Sequence, residues 1–295
     1  MHTGFLKMDN EGIPHDIPKK WLKKYDEWLK KYDELDCWSN QLTSLPESIG
    51  YLNGLQELRC WNNKLTSLPK SICHLSNLQI LDCSFNLLIN LPESIGFLSN
   101  LKLLDCYSNR LLSLPKSICH LSGLQELNCS YNQFTKLPES ICHLSSLQEL
   151  YCHNNQLTSL PDSICHLSGL QTLQCSSNEL TSLPESICNL SGLQELHCRK
   201  NRLTMLPESI GNLNSLRILN CSCNQLTNLP ESICHLSGLR ELWSGYNQLT
   251  KLPESIKNSQ QNVVYEFKKY LKIKRILNEQ LILDLDTVSI ITLFY

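Results

Sequence analysis

A 23-residue unit recurs ten times in succession between Tyr32 and about Asn258, and this repetition constrains the fold more than any other feature of the chain. Every copy has Leu three residues after its start, Asn eight residues after it and Pro fourteen residues after it. We call the copies coils 1 to 10 and count positions from their starts, which are Tyr32, Leu55, Leu78, Leu101, Leu124, Leu147, Leu170, Leu193, Leu216 and Leu239. A unit this short cannot bury its own apolar side chains, so stacked coils must share one continuous core.

The first residues of each coil alternate as in a short β-strand. In coil 2, Leu58 and Cys60 fall on one face, and Arg59 and Trp61 fall on the other. The Asn at +8 is expected to turn the chain, because its amide both donates and accepts hydrogen bonds in a tight buried turn. The Pro at +14 ends strand pairing, and the following PxSIxxLxx predicts a short helical turn capped by Ser.

The pattern resembles that of the leucine-rich repeat family over residues 32 to about 258. Its LPxSIxxLxxL spacing is similar to the Ras-group type of Shoc-like, Scribble-like and plant intracellular Ras-group proteins. The resemblance implies an α/β solenoid that is curved, with a parallel sheet on the concave face and short helical or irregular segments on the convex face. The sequence departs from that group because position +5 holds Cys where the group usually has Leu. These residues are Cys37, Cys60, Cys83, Cys106, Cys129, Cys152, Cys175, Cys198 and Cys221. Coil 10 has Ser244 there.

The chain has sixteen cysteines, and nine of them occupy this one inward position. Buried free Cys behaves as a small hydrophobic residue. In-register side chains on parallel strands point the same way, so a disulfide between neighbouring coils would distort the stack. The sequence therefore predicts free thiols and a reducing compartment, either the cytoplasm or the cytosol of a host cell.

We expect three regions: an N-terminal segment and capping helix at 1–31, ten repeats at 32–258, and a C-terminal capping helix and tail at 259–295. Residues 19–32 combine aromatic residues at helical spacing with Lys on the other face, as expected of a cap. A helix that binds a membrane or calmodulin is the alternative. Residues 261–278 predict the second capping helix. For residues 280–295, a strand, packing under the cap and a mobile tail all remain open.

Composition argues against several classes of partner. The formal net charge of −2 disfavours nucleic acid and anionic membranes. The N-terminus lacks the features of a secretory signal, and Asp284 and Asp286 interrupt the most apolar stretch of the tail. We therefore expect no integral membrane association. We also expect the chain to be a monomer.

Adjacent Cys and His residues are the strongest metal-like signal. They are Cys73-His74, Cys119-His120, Cys142-His143, Cys165-His166 and Cys234-His235. Zinc needs four converging ligands, whereas these pairs form a row with one pair in a coil. A structural role at the coil edge is favoured, and no metal or cofactor is predicted. Cys223 is either an incidental exposed thiol or a reactive one. No catalytic motif is present, and we predict that the chain is not an enzyme.

The coils differ from one another mainly at the outward positions +4, +6 and +7. Exposed Trp and Tyr often anchor protein interfaces, although isolated exposed aromatics are ordinary. Aromatic residues on adjacent coils favour partner binding. The candidate partner-binding residues are Trp38, Arg59, Trp61, Phe85, Tyr107, Tyr131, Tyr151, His153, His197, Arg199, Trp243 and Tyr246.

Charge on the same face indicates a partner with basic residues. Glu126 and Glu149 lie on adjacent strands and repel. We expect Arg59, between Asp36 and Asp82, to neutralise part of the acidic field, and Arg199 with Lys200 to form a small basic spot.

The sequence thus predicts a protein-interaction module, acting as an intracellular adaptor, a signalling regulator or a host-directed effector. The alternatives are a substrate-recognition subunit of an enzyme complex, such as a ubiquitin ligase, and a purely structural spacer.

Overall fold

The computed structural model describes residues 5–7, 33–250 and 253. Each coil contributes one three-residue strand, and a further strand precedes coil 1. The strands are β1 (Phe5–Lys7), β2 (Glu34–Asp36), β3 (Glu57–Arg59), β4 (Ile80–Asp82), β5 (Leu103–Asp105), β6 (Glu126–Asn128), β7 (Glu149–Tyr151), β8 (Thr172–Gln174), β9 (Glu195–His197), β10 (Ile218–Asn220) and β11 (Glu241–Trp243).

These strands form one open parallel sheet whose spatial order follows the chain. Neighbouring strands pair at identical repeat positions, so that Leu58 lies beside Leu81 and Arg59 beside Asp82. The predicted leucine-rich repeat solenoid, with its parallel sheet, is confirmed. The strand at Phe5–Lys7, which pairs with β2, is an addition that the repeat pattern did not predict. The predicted capping helices and the 280–295 tail lie outside the described residues.

The return segments contain 3-10 helices in coils 1 to 9. They are η1 (Glu47–Tyr51), η2 (Lys70–His74), η3 (Glu93–Phe97), η4 (Lys116–His120), η5 (Glu139–His143), η6 (Asp162–His166), η7 (Glu185–Asn189), η8 (Ile210–Asn212) and η9 (Glu231–His235). The helical turn was correctly predicted, but its capping by Ser was wrong. Pro46 precedes η1 without a side-chain cap. In η2 and η4 the cap comes instead from the preceding coil. At η2, the Glu47 carboxylate accepts hydrogen bonds from the backbone N of Lys70 and Ser71, at 3.2 and 2.9 Å.

The core lies between the sheet and the 3-10 helices. In coil 4, Leu104, Cys106, Leu111 and Ile118 are completely buried, and equivalent positions are buried along the stack. Phe134 replaces the equivalent of Leu111 in coil 5 and is also completely buried. Burial of one such side chain contributes about 1.5–3 kcal/mol, but only a stack of coils excludes water from all of them.

The Asn residues at +8 form a ladder of hydrogen bonds inside the turn. The Asn132 side-chain amide donates to the carbonyl oxygens of Cys106, Cys129 and Ser130, at 3.0 to 3.2 Å. Its Oδ1 accepts from the backbone N of Leu111 at 2.8 Å. In coils 2 to 10, the Asn therefore satisfies backbone groups in its own coil and in the preceding one, as its two-sided amide predicts.

All sixteen cysteines are free, and the nine at +5 are completely buried. Several of them donate a thiol hydrogen bond to the next coil, as Cys106 does to the carbonyl oxygen of Asn128 at 3.2 Å. Burial raises the pKa of these thiols, to about 12 for Cys129. They are packing groups that stay protonated at neutral pH.

None of the helices in the described part of the chain has the length and apolar character that a membrane-spanning segment requires.

Candidate functional site

The candidate site is the outward face of the sheet, formed by positions +2, +4, +6 and +7. Strand alternation sends +3 and +5 into the core and +2 and +4 outward, so coil 6 buries Leu150 and leaves Glu149 and Tyr151 partly exposed. The +7 residue has a positive φ in all ten coils, including 51° at Phe85 and 53° at Tyr131. Bulky residues rarely adopt this left-handed conformation, and here it places both rings at the end of the strand, beside the +6 side chains.

The first aromatic group on this face is a pair of tryptophans. The rings of Trp38 and Trp61 stack at a centroid distance of 4.8 Å with an angle of 3° between their planes. The in-register pairing of β2 with β3 brings them together, because both occupy +6. The stack gives coils 1 and 2 a flat aromatic surface, of which Trp38 is 36% exposed.

Arg59 lies beside this stack and neutralises part of the acidic face, as expected. Its guanidinium forms salt bridges with Glu34 and Glu57. The two glutamates are cross-strand neighbours at +2, and the guanidinium of Arg59 at +4 reaches both of them. The cation thus bridges two like charges that would otherwise repel.

The second aromatic group spans coils 3 to 6. Ring centroids are 5.0 Å apart for Phe85 and Tyr107, 4.9 Å for Tyr107 and Tyr131, and 5.5 Å for Tyr131 and His153. We call these four residues the ring cluster. Phe85 is 50% exposed and Tyr131 46%. Aromatic side chains on adjacent coils therefore lie side by side, as the sequence predicted, but they form two separate groups.

His153 is fixed by a residue that sequence reasoning missed. Its Nδ1 lies 2.8 Å from the hydroxyl oxygen of Ser130, which is completely buried in the neighbouring coil. Partial burial lowers the pKa of His153, which favours a neutral imidazole at neutral pH. The only signal for this pair in the sequence is that both residues occupy +6.

Four carboxylates border the ring cluster on β4 to β7. They are Asp82, Asp105, Glu126 and Glu149, and within residues 33–250 none of them forms a salt bridge. Burial, with the charges of Asp82 and Glu126, raises the pKa of Asp105 to about 6, against hydrogen bonding from the Tyr107 backbone. Burial and the neighbouring Glu149 raise the pKa of Glu126, which agrees with the predicted repulsion of this pair.

Three other candidates bond to the Glu two residues before them on the same strand. The Tyr151 hydroxyl donates to the Glu149 carboxylate. A nitrogen of His197 lies 3.2 Å from Glu195, and the indole nitrogen of Trp243 donates to Glu241 at 3.0 Å. Burial and the Glu149 carboxylate raise the pKa of Tyr151. These contacts fix the outward side chains against the sheet.

The remaining candidates lie apart from the ring cluster. Arg199 and Lys200 are exposed at the end of β9, where a basic spot was predicted. His153 and His197 belong to coils 6 and 8 and form no common site. Trp243 is 46% exposed and Tyr246 is partly buried, both in coil 10.

The Cys-His row supplies no metal site in the described chain. Within residues 33–250, no three His, Cys, Asp or Glu side chains come together to hold an ion. The Cys142 sulfur lies 3.5 Å from Nδ1 of its own neighbour, His143. Cys223 is partly exposed, with a φ of 56°.

Comparison with known proteins supports the repeat assignment. Leucine-rich repeat family models match residues 54–75, 122–165, 145–203 and 191–234. No curated protein sequence matches the chain.

Several solved structures are also similar to this chain. A leucine-rich repeat protein of Leptospira interrogans is 32% identical with a TM-score of 0.66, over 85% of this chain and 74% of that one. The functional domain of InlJ from Listeria monocytogenes, described as including a cysteine ladder, is 32% identical with a TM-score of 0.67, over 77% of this chain and 47% of that one.

A third similar structure is the ectodomain of the plant receptor kinase GASSHO1/SCHENGEN3 from Arabidopsis thaliana, in complex with CASPARIAN STRIP INTEGRITY FACTOR 2. It is 31% identical with a TM-score of 0.67, over 77% of this chain and 29% of that one. The chain thus spans less than half of the InlJ and plant receptor chains. The leucine-rich repeat fold is a protein-interaction fold, and on its repeat, its parallel sheet and these similarities this chain belongs to the leucine-rich repeat proteins.

Proposed function

We propose that the chain is a non-enzymatic interaction module that binds a partner protein through the outward face of its sheet. The observation that carries this proposal is the contrast between a nearly uniform scaffold and a varied face. Core positions repeat from coil to coil, whereas +4, +6 and +7 carry the aromatic and charged side chains. Exposed aromatic rings are typical anchors of protein interfaces.

The rigidity of the face supports the same function. In-register pairing, the Asn ladder and the contacts of Arg59, Tyr151 and His197 hold the outward side chains before any partner arrives. A surface that is already ordered loses little conformational entropy on binding. The plant receptor structure, which contains CASPARIAN STRIP INTEGRITY FACTOR 2, supports a binding role for this architecture.

Sixteen free cysteines favour action in a reducing compartment, as a cytoplasmic adaptor or a regulator delivered to a host cytosol. Within residues 33–250, no feature favours the alternative of a ubiquitin-ligase subunit.

The face can be tested by photocrosslinking with a matched pair of aromatic positions. Tyr131 lies on the outward face, and Phe97, 71% exposed, ends the 3-10 helix of coil 3. Each is replaced by photoreactive benzoylphenylalanine, and the protein is irradiated in the lysate of its source. We expect a discrete protein adduct from Tyr131 that Trp61→Ala weakens, and none from Phe97. Equal adducts from both positions, or none from Tyr131, would contradict the proposal.

A further inference from the structure

The outward face has two equivalent pairs of glutamates on neighbouring strands. An arginine side chain of the same chain neutralises only the first pair. Glu34 and Glu57 are cross-strand neighbours on β2 and β3, and Glu126 and Glu149 are the equivalent neighbours on β6 and β7. Arg59 bridges the first pair from +4 of the second strand. In the second pair that position holds Tyr151, which bonds to Glu149 alone.

The second pair also lies in a more acidic part of the face. Asp82 and Asp105 are cross-strand neighbours on β4 and β5, and β6 follows directly. The carboxylates of Asp82 and Glu126 repel that of Asp105, while its partner on β6 is the neutral Asn128. Strands are about 4.8 Å apart, so these carboxylates lie within a few strand spacings of one another.

The ring cluster lies beside these carboxylates. Its four rings run across coils 3 to 6, and Phe85 and Tyr131 keep about half of their surface exposed. Ring faces carry a partial negative charge and attract guanidinium and ammonium groups. Carboxylates attract the same groups, and Arg reaches both at once because it is planar.

We propose that coils 3 to 6 bind an extended segment of a partner protein that carries Arg or Lys residues. Its cations contact the Tyr107 and Tyr131 rings and neutralise Asp105, Glu126 and Glu149, as Arg59 neutralises Glu34 and Glu57 within the chain. The inference rests on the proposed function and specifies the chemistry of the partner.

The protonation behaviour of the acidic residues supports this assignment. Burial raises the pKa of Asp105 to about 6 and also raises the pKa of Glu126, so keeping both groups charged costs the free protein stability. A bound cation would offset that cost, and binding should weaken as the pH falls through about 6.

The test uses the full chain and a fluorescein-labelled peptide of alternating Gly and Arg, followed by fluorescence anisotropy at low salt. The binding variant is Asp105→Asn/Glu126→Gln. Asn128 and Asn220 show that the amide fits at +4, since each Oδ1 accepts from the backbone N two residues on, at 3.2 Å. The matched control is Glu208→Gln/Glu231→Gln, which removes the same charge from the opposite side of the coils.

We expect the binding variant to lose about tenfold or more in affinity and the control to change less than about twofold. Tyr131→Leu should also weaken binding, because it removes the ring but keeps an apolar side chain. A peptide of alternating Gly and Glu should not bind.

Equal losses in both double variants would overturn the inference, because general electrostatic attraction would then explain binding. Spermine is compared with unlabelled Gly-Arg peptide as a competitor at the same concentration of positive charge. If spermine displaces the labelled peptide equally well, the assignment to a protein segment is overturned. If the peptide fails to bind while Tyr131 still crosslinks a partner, this inference fails and the proposed function stands. If both fail, the outward face is not the binding surface.

Discussion

The side-chain amide of Asn132 donates a hydrogen bond at 3.0 Å to the carbonyl oxygen of Cys106, which lies one coil earlier in the chain. We expect Asn132→Ala to lower the free energy of unfolding by about 2–4 kcal/mol, because buried backbone groups in two coils lose their partner. Urea unfolding followed by circular dichroism measures this loss. Gln133→Ala, at an exposed neighbouring position, is the control. Equal effects from the two variants would contradict the ladder's role.

Asp105→Asn should stabilise the protein at neutral pH. The carboxyl pKa is about 6 in the folded chain against an ordinary value of 3.8, so the folded state binds more protons between these values. Stability contributed by this group is therefore lost as the pH rises through that window. The variant should gain up to roughly 3 kcal/mol near pH 7.5 and little below about pH 3.8. Thermal unfolding across pH measures the gain.

The control for Asp105→Asn is Asp162→Asn, which removes the same charge at the exposed start of η6. It should change stability little at any pH. A gain from Asp105→Asn that does not vary with pH would contradict the assigned cause.

Gly96→Ala should destabilise the protein far more than Gly123→Ala. A Cβ at Gly96 would lie 2.5 Å from the carbonyl oxygen of Ser117, whereas a Cβ at Gly123 would have its nearest contact at 3.6 Å. We expect a loss of about 1–3 kcal/mol for the first variant. Chemical unfolding of both variants tests the difference, and equal stabilities would show that the return segments are packed less tightly.

Cys223 offers a test of the left-handed backbone at +7. Its φ is 56°, and the same position holds Asn in coils 2 and 6, at Asn62 and Asn154. We expect Cys223→Asn to be neutral or stabilising by up to about 1 kcal/mol. Cys223→Val should destabilise by about 1–2 kcal/mol, because a β-branched residue tolerates this conformation poorly. Melting temperatures in the opposite order would be inconsistent with the φ values.

Thiol labelling should separate the cysteines by position. Cys234 is exposed, whereas Cys129 and the eight other +5 thiols are fully buried, with the Cys129 pKa raised to about 12. We expect iodoacetamide to modify Cys234 in the folded protein and the +5 thiols only after unfolding, as measured by peptide mass spectrometry. Modification of Cys129 at the rate of Cys234 would show that the core opens readily.

Much of this fold could be predicted from the sequence because each structural role repeats at a fixed residue. Equivalents of Leu58, Cys60 and Asn63 recur along the chain. The same interpretation, a strand of alternating side chains followed by an Asn turn, therefore applies to every coil. The β1 strand could not be predicted, because Phe5–Lys7 lies outside the repeat. It pairs with β2 at the edge of the sheet, and that edge exists only in the folded protein.

Side-chain partners on the outward face were harder to predict. The sequence places Arg59 among acidic residues. It pairs with Glu34 and Glu57 because of how far its side chain reaches across the strands, which the sequence does not show. The division of the aromatics into two groups likewise depends on ring orientation. Ser130 appears ordinary in sequence and becomes informative only through its contact with His153.

Because every strand pairs with its neighbours at identical positions, gain or loss of one whole 23-residue unit would leave the same kinds of contact at each new junction. The molecule could therefore be lengthened or shortened through tandem duplication in steps of about 4.8 Å. Each step would bring one fresh set of outward side chains and one more core interface of the same kind, so the recognition surface and the stability of the scaffold would grow or shrink together.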